Sequence, residues 1–98
     1  MTIPKSVLIG GQRVQICIDD NLAEYGQFCL DNLKITLRKT DLPTMVATLR
    51  HEMIHAAFAI SGLSHSKTFE DMEESVVRCL ENLFFPAWSK LTAKQKRR

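Results

Sequence analysis

The sequence predicts an α+β domain: a small, mostly antiparallel N-terminal sheet, an active-site helix and then a second, glutamate-bearing helix. Two observations carry this. The first forty residues alternate with a period of two around Gly10-Gly11 and around Asp31-Asn32. From Asp41 onward the apolar residues recur with a helical period.

Each element has its own signal. "VLIGGQRVQICI" sets two β-rich runs on either side of Gly10-Gly11, a two-residue hairpin signature, with Val14, Ile16 and Ile18 on one face. "FCLDNLKITLRK" repeats the pattern, with Phe28 and Leu30 before Asp31-Asn32 and Leu33, Ile35 and Leu37 after it. The intervening DDNLAEYG reads as a loop or a short helical turn. Asp41 can cap a helix whose first turn tolerates Pro43, since the missing N–H has no partner there. Met45, Val46, Leu49, Met53, Ala56 and Ile60 form its apolar stripe, and Gly62 is its expected stop. A second helix is predicted from about Thr68 past Phe85, ended or kinked by Pro86. Its stripe is Phe69, Met72, Val76, Leu80, Leu83 and Phe84, and the FFPAW segment (Phe84, Phe85, Trp88) is expected to join the core rather than form a dimer patch.

The chain of 98 residues suffices for one domain with a modest core. No apolar run is long enough to span a membrane. The N-terminus has no secretory h-region, and three separated cysteines (Cys17, Cys29, Cys79) without C-x-x-C point to reduced thiols and a cytoplasmic protein. Five of the 13 basic side chains, Lys90, Lys94, Lys96, Arg97 and Arg98, lie in the last nine residues, leaving 8 against 11 acids and a body near −3. Residues 1–88 therefore read as the domain and 89–98 as a basic, solubilising tail. No basic stripe interleaves with aromatics, which argues against nucleic acid. An exposed sheet edge leaves the oligomeric state open.

His51-Glu52-Met53-Ile54-His55 lies in the middle of the first predicted helix. Residues four apart project from one face, so both imidazoles can reach one Zn²⁺. Glu52 is turned about 100° from His51, beside the metal rather than on it, where it could take a proton from metal-bound water. Both histidines fall opposite the Met45–Leu49–Met53–Ile60 stripe, hence away from the sheet. A third ligand decides between a metal site and ordinary helix histidines. His65 is the weaker candidate, because Phe58 and Ser61 stand where a metzincin has glycine and histidine. In the acidic run Glu70-Asp71-Met72-Glu73-Glu74, Glu73 lies about 40° from Phe69, inside the apolar stripe, where a carboxylate is costly without a compensating cation. Glu70 and Glu74 lie about 100° and 140° away, at the flank, where acids merely suit the helix N-terminus.

With HEMIH followed by Glu73 on its own helix, the chain resembles a gluzincin zinc peptidase, and more closely the very small phage- and prophage-encoded proteins related to the ImmA/IrrE group. These show a short sheet, then an "lp…tLlHEllHa" helix, then a helix with "EE-x-V-V-x-x-L". Leu42-Pro43, Thr48 to Ala56 and Glu73 to Leu80 match that pattern, within a likeness that covers roughly residues 25 to 86. The resemblance implies a zincin-like fold, His51, His55 and Glu73 as zinc ligands, and Glu52 as base and proton shuttle in peptide hydrolysis. Spacing to Glu74 also matches some large aminopeptidases, but helical phase favours Glu73. Where relatives often have Asp or Asn four residues after the ligand, this chain has Val77. By resemblance Leu33 to Arg38 would be the edge strand that pairs with a protein or peptide substrate, and Tyr25 or His65 would assist the oxyanion. The alternative is a zinc-binding interaction module without turnover.

Overall fold

The computed structural model describes residues 2–96. Four strands, β1 (Ser6–Ile9), β2 (Gln12–Asp19), β3 (Gly26–Cys29) and β4 (Lys34–Arg38), form one sheet in the order β1-β2-β4-β3. Both predicted hairpins are present: β1 pairs antiparallel with β2, and β3 with β4. Gly10 and Gly11, at φ 55° and 79°, make the tight turn whose two left-handed residues match the strand twist. In the second hairpin the turn is wider than expected. Leu33 leaves the strand and takes a left-handed φ of 46°, so β4 starts at Lys34.

The sheet is mixed, because β2 and β4 pair in parallel at its centre. Leu33 to Arg38 is therefore not an edge, as the resemblance implied; β4 has β2 on one side and β3 on the other. The reason lies in β4 itself: Ile35 and Leu37 are fully buried and need cover from strands on both sides. The short β3 takes the edge instead. Within DDNLAEYG, Asp19 ends β2, Gly26 begins β3, and residues 20–25 form an irregular loop.

Helix α1 (Leu42–Ser61) begins where Asp41 accepts a hydrogen bond from the Thr44 N–H at 3.0 Å, with Pro43 in the first turn. It stops at Gly62, whose φ of 89° suits only glycine. Leu49 is buried with Val14, Ile16, Ile35 and Leu37, and Met45, Met53 and Ile60 pack against that core. Each fully buried side chain of this kind contributes about 1.5–3 kcal/mol, so this seam holds α1 on the sheet. A 3-10 turn (Leu63–His65) then leads to α2 (Lys67–Cys79), capped by Ser66, which accepts from the Phe69 N–H.

Pro86 neither ends nor visibly breaks the second helix. A π-helical turn (Leu80–Phe84) joins α2 to α3 (Phe85–Lys96), and the helix runs on into the predicted tail. Arg97 and Arg98 lie outside the described residues. The inward face of α2 is also turned from its predicted centre. Val77, about 80° round from Phe69, is fully buried, whereas Met72, Leu83, Phe84 and Trp88 are all at least half exposed. FFPAW is thus not core, apart from the half-buried Phe85. Rotation of the helix leaves apolar surface in water and brings carboxylates toward α1. Among the described residues no helix is long and apolar enough to cross a membrane, and all three cysteines are free.

Candidate metal centre

Residues 51, 52 and 55 project from the flank of α1 that faces α2 and the loop before β3. The two imidazoles turn toward each other, with Nε2 of His51 and Nε2 of His55 3.2 Å apart. Glu74 Oε1 lies 2.7 Å from His55 Nε2 and 3.9 Å from His51 Nε2. Glu73 stands elsewhere: its Oε2 is 2.5 Å from His55 Nδ1, and its Oε1 accepts a 2.7 Å hydrogen bond from the Ser64 hydroxyl. Glu81 does the same for the other ring, with Oε1 3.0 Å from His51 Nδ1.

Each Nδ1 facing a carboxylate must supply the hydrogen, because a carboxylate only accepts. For His51 that assigns the proton of the neutral ring to Nδ1 and leaves Nε2 as an acceptor, whereas His55 has a carboxylate at each nitrogen, Glu73 at Nδ1 and Glu74 at Nε2. With Nδ1 protonated on both rings, two nitrogens and Glu74 Oε1 converge on one point as acceptors, and a proton or a metal ion between them satisfies all three. In the free protein a proton on His55 can serve. Burial alone would lower His55, but the Glu73 hydrogen bond and the charges of Glu74, Glu52 and Glu73 outweigh it and raise its pKa. A metal ion is the other possibility. For zinc with ligand bonds of about 2.0–2.1 Å, a tetrahedral site sets neighbouring donors about 3.3 Å apart. The observed spacings bracket that value. His51, His55 and Glu74 form a group that could hold a metal, and the donor set of two neutral imidazoles and a carboxylate fits zinc.

Glu73 itself is held below its ordinary range. Burial would raise it, but hydrogen bonds from Ser64 and His55 and the His55 charge prevail. It remains an anion in a partly buried place, bound on both oxygens.

No protein-family model, curated protein or solved structure matches this chain. Its chemistry is read from the site.

Glu52, half-buried between α1 and β3, makes no side-chain hydrogen bond among those formed by the described residues. Burial raises its pKa, against the lowering effect of His51 and His55. The close approach of β3 depends on Gly26. A Cβ there would lie 2.6 Å from Thr48 Cγ2 and 3.2 Å from Glu52 Cγ. The inner-face row Ile18–Leu37–Gly26 thus ends without a side chain, and α1 fills the gap.

A cleft of about 870 Å³ opens beside the histidines, lined by Glu24 to Phe28 on one wall, α1 on another, and Glu74 and Glu81. A smaller cavity of about 370 Å³ lies on the far side of Glu52 and His55, against Phe28, Ser64 and Glu73. Tyr25 lines the larger cleft, exposed, with the Arg38 guanidinium 4.2 Å from its ring centre. His65 is exposed in the 3-10 turn and lines neither cavity.

Sequence reasoning placed His51, Glu52 and His55 on one helix flank, and the structure brings them together with Glu73 and Glu74. It did not single out Glu81, Ser64 or Gly26. Glu81 had a readable signal, since it follows Glu74 by seven residues and so shares its helix face. Ser64, in a loop, had none.

Proposed function

We propose that this chain is a minimal, zincin-like zinc peptidase in which His51, His55 and Glu74 hold the metal and Glu52 is the general base. The observation that carries this reading is the convergence of both Nε2 atoms and Glu74 Oε1, with each Nδ1 backed by a carboxylate. Glu73 and Glu81 then serve as the outer carboxylates that orient the rings.

Zinc, when bound, supplies a Lewis acid for the scissile carbonyl and acidifies a water molecule. The protein supplies the proton transfers. Glu52 sits beside the ligand pair rather than facing it, and its burial strengthens it as a base at neutral pH. It accepts the proton of the attacking water and passes it to the departing amine nitrogen. β3, the sheet edge that walls the cleft, offers its backbone to an extended peptide, which would lie as a fifth strand. The preference for β3 over Leu33 to Arg38 follows from strand order.

Substitution Glu52→Gln tests the reading. Peptide-library hydrolysis should vanish while zinc content and melting temperature stay at wild-type levels. Undiminished hydrolysis in that variant removes Glu52 from the chemistry. Zinc uptake by the wild type with no turnover of any library peptide would instead favour a zinc-binding interaction module.

A further inference from the structure

The helix that carries Glu73, Glu74 and Glu81 changes pitch without breaking. Cys79, Leu80 and Phe85 all keep right-handed helical dihedrals across the π-helical turn. The Phe85 N–H donates to the Leu80 carbonyl, five residues back. Pro86 follows at once. In a regular α-helix its ring would press on the carbonyl of Asn82, and its missing N–H would leave a gap in the ladder. A wider turn placed immediately before the proline takes up both faults, so the helix continues where it would otherwise kink. π-Helical turns of this kind are uncommon and recur at functional sites.

The turn also reorders side chains. It begins one residue before Glu81, whose side chain is 19% exposed and meets His51 Nδ1. Leu83 and Phe84, within the same turn, face solvent at 68% and 53% exposure. Glu81 follows Glu74 by seven residues and keeps its helix face. On a regular helix Phe84 would stand about 60° from Glu81, on the same side; the wider turn swings it out to solvent and leaves Glu81 beside His51. The position four residues after Glu73 is filled by the buried Val77, so Glu81, one turn further along, is the carboxylate that reaches the His51 ring.

We propose that Pro86 and the π-helical turn form a positioning device that holds Glu81 on His51 Nδ1, so that His51 presents Nε2 as an acceptor to the metal. Glu81 and Pro86 are positioning residues; neither touches the reacting atoms. The zinc part of this proposal rests on the metal reading above, but the tautomer part does not, and the experiment keeps them separate.

The test uses the full chain as wild type, Glu81→Ala, Glu81→Asp, Pro86→Ala and the double variant Glu81→Ala with Pro86→Ala. Two quantities are read for each: the ring ¹⁵N shifts of His51 in metal-free protein, which report which nitrogen carries the proton, and the zinc dissociation constant. Glu81→Ala should admit the Nε2–H tautomer of His51 and weaken zinc binding about 10–100-fold. Glu81→Asp should recover part of both. Pro86→Ala should move both in the same direction as Glu81→Ala, by less, and should add nothing in the double variant. Wild-type shifts in Glu81→Ala, or in Pro86→Ala, overturn the device. Equal effects of Pro86→Ala with and without Glu81 also overturn it, since the proline would then act on the fold alone. If the wild type binds no zinc, the metal reading fails and the ring shifts alone decide the positioning role.

Discussion

The Nε2 atoms of His51 and His55 lie 3.2 Å apart, each on a ring whose Nδ1 faces a glutamate. With Nδ1 protonated on both rings, these nitrogens and Glu74 Oε1 are three acceptors that a proton or a metal ion would bridge. The arrangement also separates the two neighbouring glutamates by position. Glu74 reaches the inner nitrogens and Glu73 an outer one.

Zinc content should follow that division. Wild-type protein is expected to take up about one zinc, Glu74→Ala to lose it, and Glu73→Ala to bind about 10–100-fold more weakly. Elemental analysis and titration of the purified variants check this. Full zinc content in Glu74→Ala with none in Glu73→Ala would restore the assignment that helical phase alone favours.

Gly26 should tolerate no side chain. In Gly26→Ala the new Cβ meets Thr48 Cγ2 at 2.6 Å, and Thr48 is stiff: it is β-branched and its hydroxyl donates to the Thr44 carbonyl at 2.9 Å. Overpacking of this kind costs about 1–3 kcal/mol. Denaturant melts should show that loss, together with reduced hydrolysis as Glu52 is displaced. Wild-type stability would mean that β3 moves aside freely.

Asp41 makes the start of α1 sensitive to acid. Hydrogen bonds from the Thr44 side chain and then its backbone N–H hold its pKa below the ordinary value of 3.8. A depressed carboxylate contributes stability that is fully present above its unfolded pKa and is lost as pH falls through the folded one. Wild type should therefore lose part of its stability below about pH 4, where Asp41→Asn, which keeps a capping oxygen without titrating, should lose less. Melting temperatures between about pH 2 and 6 check the difference; parallel curves for the two proteins would count against it.

Trp88 distinguishes the expected core from the observed surface. It is 54% exposed, stacked on the equally exposed Phe84. Trp88→Ser should change unfolding free energy by no more than about 0.5 kcal/mol, as at ordinary surface positions. A core tryptophan would cost about 3–5 kcal/mol on truncation to alanine. A large loss in Trp88→Ser would return this segment to the core.

Local rules made much of the molecule legible. Gly10-Gly11 specified a turn because only residues free at positive φ close a two-residue hairpin. Asp41 and Gly62 bounded α1 because helix ends need a side-chain acceptor and a left-handed stop. The four-residue spacing of His51 and His55 placed both rings on one flank for the same reason of geometry. Each of these is an interaction among residues near in sequence, so the sequence alone was enough to determine it.

Three features were decided only by the tertiary structure. β4 went to the middle of the sheet because Ile35 and Leu37 needed cover on both sides, and hydrophobic alternation does not rank strands. α2 turned some 80° from its most apolar face, burying Val77 while Glu73, Glu74 and Glu81 meet the histidines. The π-helical turn carried the helix past Pro86, where the residue type by itself argued for an end or a kink. In each case competing surfaces distant along the chain settle the outcome. The sequence determined the elements and the histidine pair; how the carboxylates were divided around that pair depended on packing.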